Sequence, residues 1–502
     1  MNKEAIKTAS VAQSLTNGIS ENRRQEVRQA VKSACDQMRI EGVPPRDYVE
    51  QLSWLFFLKA FEETENRREE EASFDDAPYM RRLDGEYRWS AWTKGTDRPE
   101  EMLTFANGKL FPHLQNLGQD SLALRFNRIF STIKNHQSRG ASFARVVAQV
   151  DKLHFNDRTD IIVLSEIYEQ LLKDVAQVSG YAGEFYTPRH IIRAMVQMVK
   201  PHAGEKVYDP CFGSAGFLSE AAQAIRLSQP TMSGEQLQKF HKETFYGREM
   251  QPLAYLMGTM NLILHDVHEP SLELINTLET HSNDVPEAKK YSVILANPPY
   301  GGKMAQQMQT NFTVRSGSTE ILFLQHIMKN LARGGRAGVI VPEGVLFRGG
   351  PDQKVRERLL REFNVHTVLS MPAGCFLPYT GVKTNILFFN REENEVGTDC
   401  VWFYELTNDG FELKQTRRPM AGDQFPDFLS KQPQRVESEN SWLVTIAEIE
   451  EKGWDLSAKN PNRKSDYDRR PALDLVQNIK AREERVFALL AELEEILETP
   501  SH

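Results

Sequence analysis

From about residue 183 onward, short apolar runs alternate with amphipathic stretches, and this alternation limits the fold more than any other feature of the chain. Lys206–Tyr208, Thr244–Tyr246, Ser292–Ala296, Ala337–Val341 and Thr367–Ser370 have the length and branching of buried strands. Between them, Ala215–Leu227, Gln251–Leu264 and Glu320–Leu331 carry helical periodicity. Strands separated by helices pair in parallel, and the product is a doubly wound α/β sheet. Two further runs, Thr384–Phe389 and Cys400–Glu405, are joined by the polar loop NREENEVGTD. They are expected to pair antiparallel at one edge of that sheet.

The flanks read differently. Residues 1–175 are expected to form an all-helical domain. In RDYVEQLSWLFFLKAFEE, Tyr48, Leu52, Leu55, Phe56 and Ala60 recur at steps of three and four, with charged residues on the other face. The charge run Glu62–Asp76 reads as a solvated helix end or loop. The α/β region spans 176–410. Residues 411–465, rich in Pro, Gln, Lys, Arg and Asp towards their start, read as linker and extended segment. In 466–502, Ala472, Leu475, Ile479, Arg482, Val486, Leu489, Leu493 and Ile496 keep a heptad register, the pattern of a C-terminal coiled-coil-like helix that packs on its own domain or docks on a partner helix, the narrow stripe favouring the partner.

Composition narrows the class. The chain has 502 residues, and 61 basic against 69 acidic side chains give a net charge of −8. That disfavours a surface that coats nucleic acid throughout, while leaving room for a local basic cleft. MNKEAIKTAS holds no apolar signal core. The apolar window Leu52–Phe61 is broken by Lys59 and falls short of the ~20 residues a membrane span needs. The four cysteines lack metal-ligand or disulfide-framework spacing. The expectation is a cytoplasmic protein with no metal centre and no membrane partner.

Four segments carry chemistry, and their order matters. In Val207–Leu218 a strand end runs into the glycine loop Asp209-Pro210-Cys211-Phe212-Gly213-Ser214-Ala215-Gly216-Phe217. It lacks the lysine of a phosphate loop and the GxGxxG spacing. Asp209 would repel a pyrophosphate and suits a cationic amino-acid moiety; S-adenosylmethionine offers an ammonium and a sulfonium. A purely structural glycine turn is the other reading. Glu249, at the end of the next strand, is placed to accept hydrogen bonds from ribose hydroxyls. Asn297-Pro298-Pro299-Tyr300 follows an apolar strand, where two prolines stop the sheet and fix the backbone. The Asn297 amide and the Pro298 carbonyl become fixed acceptors, and Tyr300 offers a ring on which a base can stack. Gly183-Glu184-Phe185-Tyr186-Thr187, ahead of the first strand, could wall the cofactor's methionine end.

The ordered set GEFYTP, DPCFGSAGF, GRE and NPPY resembles the N6-adenine class of amino-methyltransferases. INTL, GRAGVIVPEGVLFRGG and MPAGCFLPYTGVKTNILFFN narrow the resemblance to the modification (M) subunit of type I restriction–modification systems. It covers residues 45 to 410 well. The resemblance implies a Rossmann-like S-adenosylmethionine-dependent methyltransferase sheet with a helical N-terminal domain and a C-terminal helical tail. It implies that Asp209, Gly213 and Gly216, with Pro210, Ser214 and Phe217 in the same loop, shape the cofactor pocket. Phe185, Tyr186 and Thr187, with Gly183 and Glu184, would flank the methionine part. Glu249 would bind the ribose, and Asn276 would contact the cofactor's adenine ring. Asn297, Pro298 and Tyr300, with Pro299 in the turn, would hold the target adenine, and Phe376 would pack its other side.

The activity implied is site-specific adenine-N6 methylation of DNA on a flipped base. No segment here reads as a recognition domain for base edges. The resemblance implies that a separate specificity (S) subunit supplies one, docked on the C-terminal helix. Two M subunits would share one S subunit, with a restriction/motor (R) subunit in the full complex. Two rival readings are an NPPY enzyme acting on RNA or on a protein glutamine, and a non-catalytic scaffold.

Overall fold

The computed structural model describes residues 21–74, 78–94, 98–155, 160, 163–164, 187–267, 269–279, 285–378, 380–394, 396–457, 459–462 and 472–498. The N-terminal part is helical, as expected. Helices α1 (Glu21–Ile40), α2 (Pro45–Phe74), α3 (Ser121–Thr132) and α4 (Gly140–Val150) frame it, with short helical turns between them. Helix α1 packs on α4.

The charged face of α2 is buried in part, at Lys59, Glu62 and Glu65, while Glu69 and Glu70 further along the charge run are exposed, as expected. From Gln51 to Glu62 every residue is buried, and Glu65 is buried too. Burying a charge is costly unless it is paired, and here each one clamps a neighbouring loop. Lys59 donates to the Asp151 carbonyl and carboxylate. Glu62 accepts from the Ser90 N–H at 2.7 Å and hydroxyl at 2.6 Å. Glu65 accepts from the Arg82 and Leu83 N–H groups. The run itself stays helical to Phe74.

The α/β part is one nine-stranded sheet: β1 (Val207–Asp209), β2 (Phe245–Glu249), β3 (Ser271–Leu274), β4 (Tyr291–Ala296), β5 (Leu331–Pro342), β6 (Asn364–Ser370), β7 (Thr384–Asn390), β8 (Cys400–Glu405) and β9 (Ser441–Thr445). Their order is β3-β2-β1-β4-β5-β7-β6-β8-β9. Strands β3, β2, β1, β4 and β5 are mutually parallel. Helices α5 (Arg189–Val199), α6 (Gly216–Ser228), α7 (Pro252–Leu264), α8 (Thr319–Asn330) and α9 (Pro351–Glu362) cover its faces. Helix α7 also packs on α2, so the helical part and the sheet share one core.

Two expectations are corrected. Strands β7 and β8 do not pair with each other. Strand β7 inserts antiparallel between β5 and β6, and β8 lies parallel to β6. Strand β7 is buried at six of its seven positions, as an interior strand must be, whereas an edge strand has one free side. The other concerns 411–465, expected to be a linker. It carries a helix at Phe425–Lys431, the edge strand β9 and a helix at Ile446–Glu451. Trp442, Trp454 and Leu456 are buried in the core. Arg356 on α9, 1% exposed, holds this segment by donating to the Trp454 carbonyl at 2.7 Å and to the Val345 and Arg348 carbonyls.

The C-terminal helix α10 (Ala472–Glu498) forms as expected, and each of its described side chains is exposed. Among the described residues no helix is long and apolar enough to cross a membrane.

Candidate functional site

Strand order reverses between β1 and β4, and ligands of open α/β sheets bind at such a point, beyond the strands' carboxyl ends. Tyr208 stands level with Ile294, so Asp209 and Asn297 leave the sheet on the same edge. One cleft there is lined by Thr187, Ile192, Asp209, Cys211, Phe212, Gly213, Ser214, Gly216, Phe217 and Asn297. Three stretches distant in the chain thus meet. Gly183, Glu184, Phe185 and Tyr186 lie outside the described residues.

The glycine loop folds for local reasons. Gly213 has φ +50°, a left-handed conformation that an L side chain disfavours. Its N–H donates to Glu249 Oε2 at 3.0 Å. Glu249 Oε1 accepts from the Met250 and Gln251 N–H groups, both at 2.8 Å. The ring of Phe212 turns into the core against two glycines. A Cβ on Gly247 or Gly258 would come within 2.6 or 2.5 Å of it.

Asp209 is 1% exposed, and its carboxylate accepts from the Cys211 N–H at 3.0 Å. Burial, and next the Glu249 charge, push its pKa up to about 8 against the opposing pull of that N–H. The Cys211 thiol is pushed well above its ordinary range by burial and by the same two carboxylates. A pair of acids at the tips of adjacent strands suits a cationic ligand, whose charge favours the ionised form of Asp209 that burial alone disfavours.

Asn276 sits beside this pair: the Ile275 N–H donates to the Glu249 carbonyl. Its side chain closes a local turn, accepting from the Leu278 N–H and donating to Glu279. Sequence reasoning missed its neighbour Thr277, which is buried and donates to the Pro210 carbonyl at 2.6 Å. It ties the exit of β3 to the glycine loop. A second omission is Asn261, which donates to the Ser214 carbonyl at 2.7 Å from α7.

Asn297 is held at both ends of its amide. Its Nδ2 donates to Thr187 Oγ1 at 3.0 Å, and its Oδ1 accepts from the Tyr300 hydroxyl at 2.5 Å. Pro298 is buried and Pro299 half-buried. Beyond Tyr300 the chain turns at Gly301, φ +72°, whose N–H donates to Glu320 Oε1 at 2.7 Å. Glu320, 5% exposed at the start of α8, was also missed; a carboxylate opening the apolar stretch EILFL was its signal in the sequence. Burial pushes the Tyr300 hydroxyl far above its ordinary range, so it stays a donor.

Phe376 is 3% exposed and meets the Tyr300 ring edge-on, centroids 6.4 Å apart.

A switch-point sheet that brings a glycine loop and an Asn-Pro-Pro-Tyr turn to one cleft is the architecture of an amino-methyltransferase. The chain belongs to the N-6 DNA methylase family: the model described as N-6 DNA Methylase matches residues 159–470, and the one described as HsdM N-terminal domain matches residues 27–150. Within that family it is a methylase subunit of the type I restriction–modification kind. It is 33% identical to the type I restriction enzyme EcoEI methylase subunit of Escherichia coli, over 86% of this chain and 89% of that one. It is 32% identical to the EcoKI methylase subunit of E. coli strain K12, over 74% and 69%. The modification subunit of a putative type I restriction enzyme from Vibrio vulnificus YJ016 superposes with a TM-score of 0.76 at 30% identity, over 88% of this chain and 97% of that one.

Proposed function

We propose that the chain transfers a methyl group from S-adenosylmethionine to the N6 of an adenine flipped out of DNA, at sites chosen by a separate specificity subunit. When bound, S-adenosylmethionine supplies an electrophilic methyl on a sulfonium. In this reading Asp209, with Pro210, Gly213, Ser214, Gly216 and Phe217 around it, holds the cationic methionine end. Glu249 takes the ribose hydroxyls and Asn276 borders the adenine ring. Thr187 and the preceding Gly183, Glu184, Phe185 and Tyr186 close the pocket. The pair of strand-tip carboxylates supports the fit.

The observation that carries the reading is the Asn297 amide, fixed between Tyr300 and Thr187 at the edge of the cofactor cleft. An exocyclic amine is a poor nucleophile because its lone pair delocalises into the base. Asn297 Oδ1 and the Pro298 carbonyl accept its two N–H bonds and draw the nitrogen towards a tetrahedral shape. The lone pair then localises towards the methyl group, and fixed dipoles replace a strong base; as the N–C bond forms the S–C bond would break, the neutral thioether would leave, and the nitrogen's surplus proton would pass to water. Pro299 holds the turn, Tyr300 stacks on the base, and Phe376 braces that ring. Flipping costs a few kcal/mol, offset by stacking and by these two hydrogen bonds.

Support for the partners comes from the family and from α10. Its exposed apolar side chains, Ile479, Val486 and Leu489 among them, would pack on a long helix of the specificity subunit. Two copies of this chain on one specificity subunit would form the methylase, and a restriction/motor subunit would join for cleavage. The deciding experiment adds specificity subunit, DNA and methyl-labelled cofactor to wild type and to Asn297→Ala. Label should enter DNA only with the specificity subunit present. The variant should lose transfer and keep cofactor affinity; near-normal transfer by it would sink the assignment.

A further inference from the structure

The arm that follows β8 holds a buried charged cluster with no part in the reading so far. Residues 409–420 fold back on themselves: Met420 N–H donates to the Gly410 carbonyl, and Glu412 N–H to the Arg418 carbonyl, both at 2.8 Å. Inside the fold lies Asp409, whose side chain is 0% exposed. Its two oxygens accept from Arg417 Nη2, each at 2.6 Å. Asp409 Oδ2 is also 3.1 Å from His190 Nε2. The His190 ring stacks on Phe411 at 4.6 Å, and the Arg417 guanidinium lies 5.4 Å from the centre of the same Phe411 ring. Arg417 Nη1 reaches on to the Cys375 carbonyl.

Both ends of this cluster lead to the acceptor motif. His190 lies in the first turn of α5, three residues after Thr187, whose hydroxyl holds the Asn297 amide. Cys375 precedes Phe376, whose ring backs Tyr300. One carboxylate therefore joins the supports of Asn297 and of Tyr300. We propose that Asp409 and Arg417 are positioning residues: they fix the distance between the Thr187 helix and the Phe376 loop, and so the spacing of amide and stacking ring around the target base. The proposal rests on the methyl-transfer reading above. A planar guanidinium can fork between Asp409 and the Cys375 carbonyl; an ammonium makes only point contacts.

The test uses the assembled complex with its specificity subunit, and two variants. Arg417→Lys keeps the charge beside Asp409 and loses the fork. His190→Phe keeps the ring on Phe411 and loses the tie to Asp409. Each should slow single-turnover methyl transfer by about tenfold or more, as small misplacements at reacting centres do, while cofactor affinity stays within about twofold of wild type. Combined, they should slow it less than the product of the two, because they act through one carboxylate. Transfer within about twofold of wild type in both variants would overturn the proposal. So would a rate loss matched by an equal loss of cofactor affinity, or strictly multiplicative effects. A wild-type complex that transfers nothing to DNA would instead overturn the functional reading, and the brace with it.

Discussion

Asp209 owes its chemistry to its surroundings. Its pKa of about 8 lies far above the ordinary value, with burial as the first cause. The unfolded chain releases this proton at about pH 4, so the group's contribution to stability falls as pH rises from about 4 to about 8. A cationic ligand needs the carboxylate. Affinity for S-adenosylmethionine should therefore be full above about pH 8 and fall up to tenfold per unit below it. Calorimetric titration from about pH 6 to about pH 9 in two buffers would show proton release in the lower range. Asp209→Asn should bind more weakly and lose the slope; an unchanged slope would exclude Asp209 as its source. The acid and the glycines were legible in the sequence because strand tip and loop are contiguous. The bond between Asn297 and Thr187 was not, because it joins residues 110 positions apart.

At the level of elements, the strand–helix alternation was legible because burial on both faces makes parallel strands uniformly apolar. Pairing order was not. Strands β6, β7 and β8 all read as apolar runs, and nothing in a run states which neighbour it takes. Strand β9 escaped notice because it is short and half-exposed, alternating about Leu443. Helix α7 illustrates a contact that only packing reveals. At Gly258 an added Cβ would meet the Phe212 ring at 2.5 Å and the Gly213 carbonyl at 2.8 Å. Neither can yield without moving the glycine loop. Gly258→Ala should cost about 1–3 kcal/mol of stability by overpacking. It should also weaken cofactor binding from a position behind the cleft. Melting and calorimetry would check both; unchanged affinity would mean that the loop absorbs the strain.

On the scale of the whole molecule, the net charge of −8 first disfavoured nucleic acid. The site resolves this, because it is built from an amide, prolines and aromatic rings. A chain that leaves base reading to a partner needs no basic surface throughout. The described side chains of helix α10 are all exposed. Removing residues 470–502 should leave the melting temperature and cofactor affinity of the remainder unchanged. It should abolish association with the specificity subunit, read by light scattering after size exclusion. A normal complex from the truncated chain would place the docking surface elsewhere.

The sequence by itself determined the chemistry-bearing loops, the α/β class and the terminal heptad helix. Each of these is a local pattern: a strand end, a turn locked by prolines, a helical period. Tertiary structure alone decided that β7 lies between β5 and β6, that 411–465 adds to the core, and that Lys59, Glu62 and Glu65 of α2 are buried. It also decided that one carboxylate, Asp409, bonds both His190 and Arg417. These are choices among partners distant in the chain. They are settled by which polar groups can be satisfied once the apolar surface has closed, a condition that no local pattern encodes.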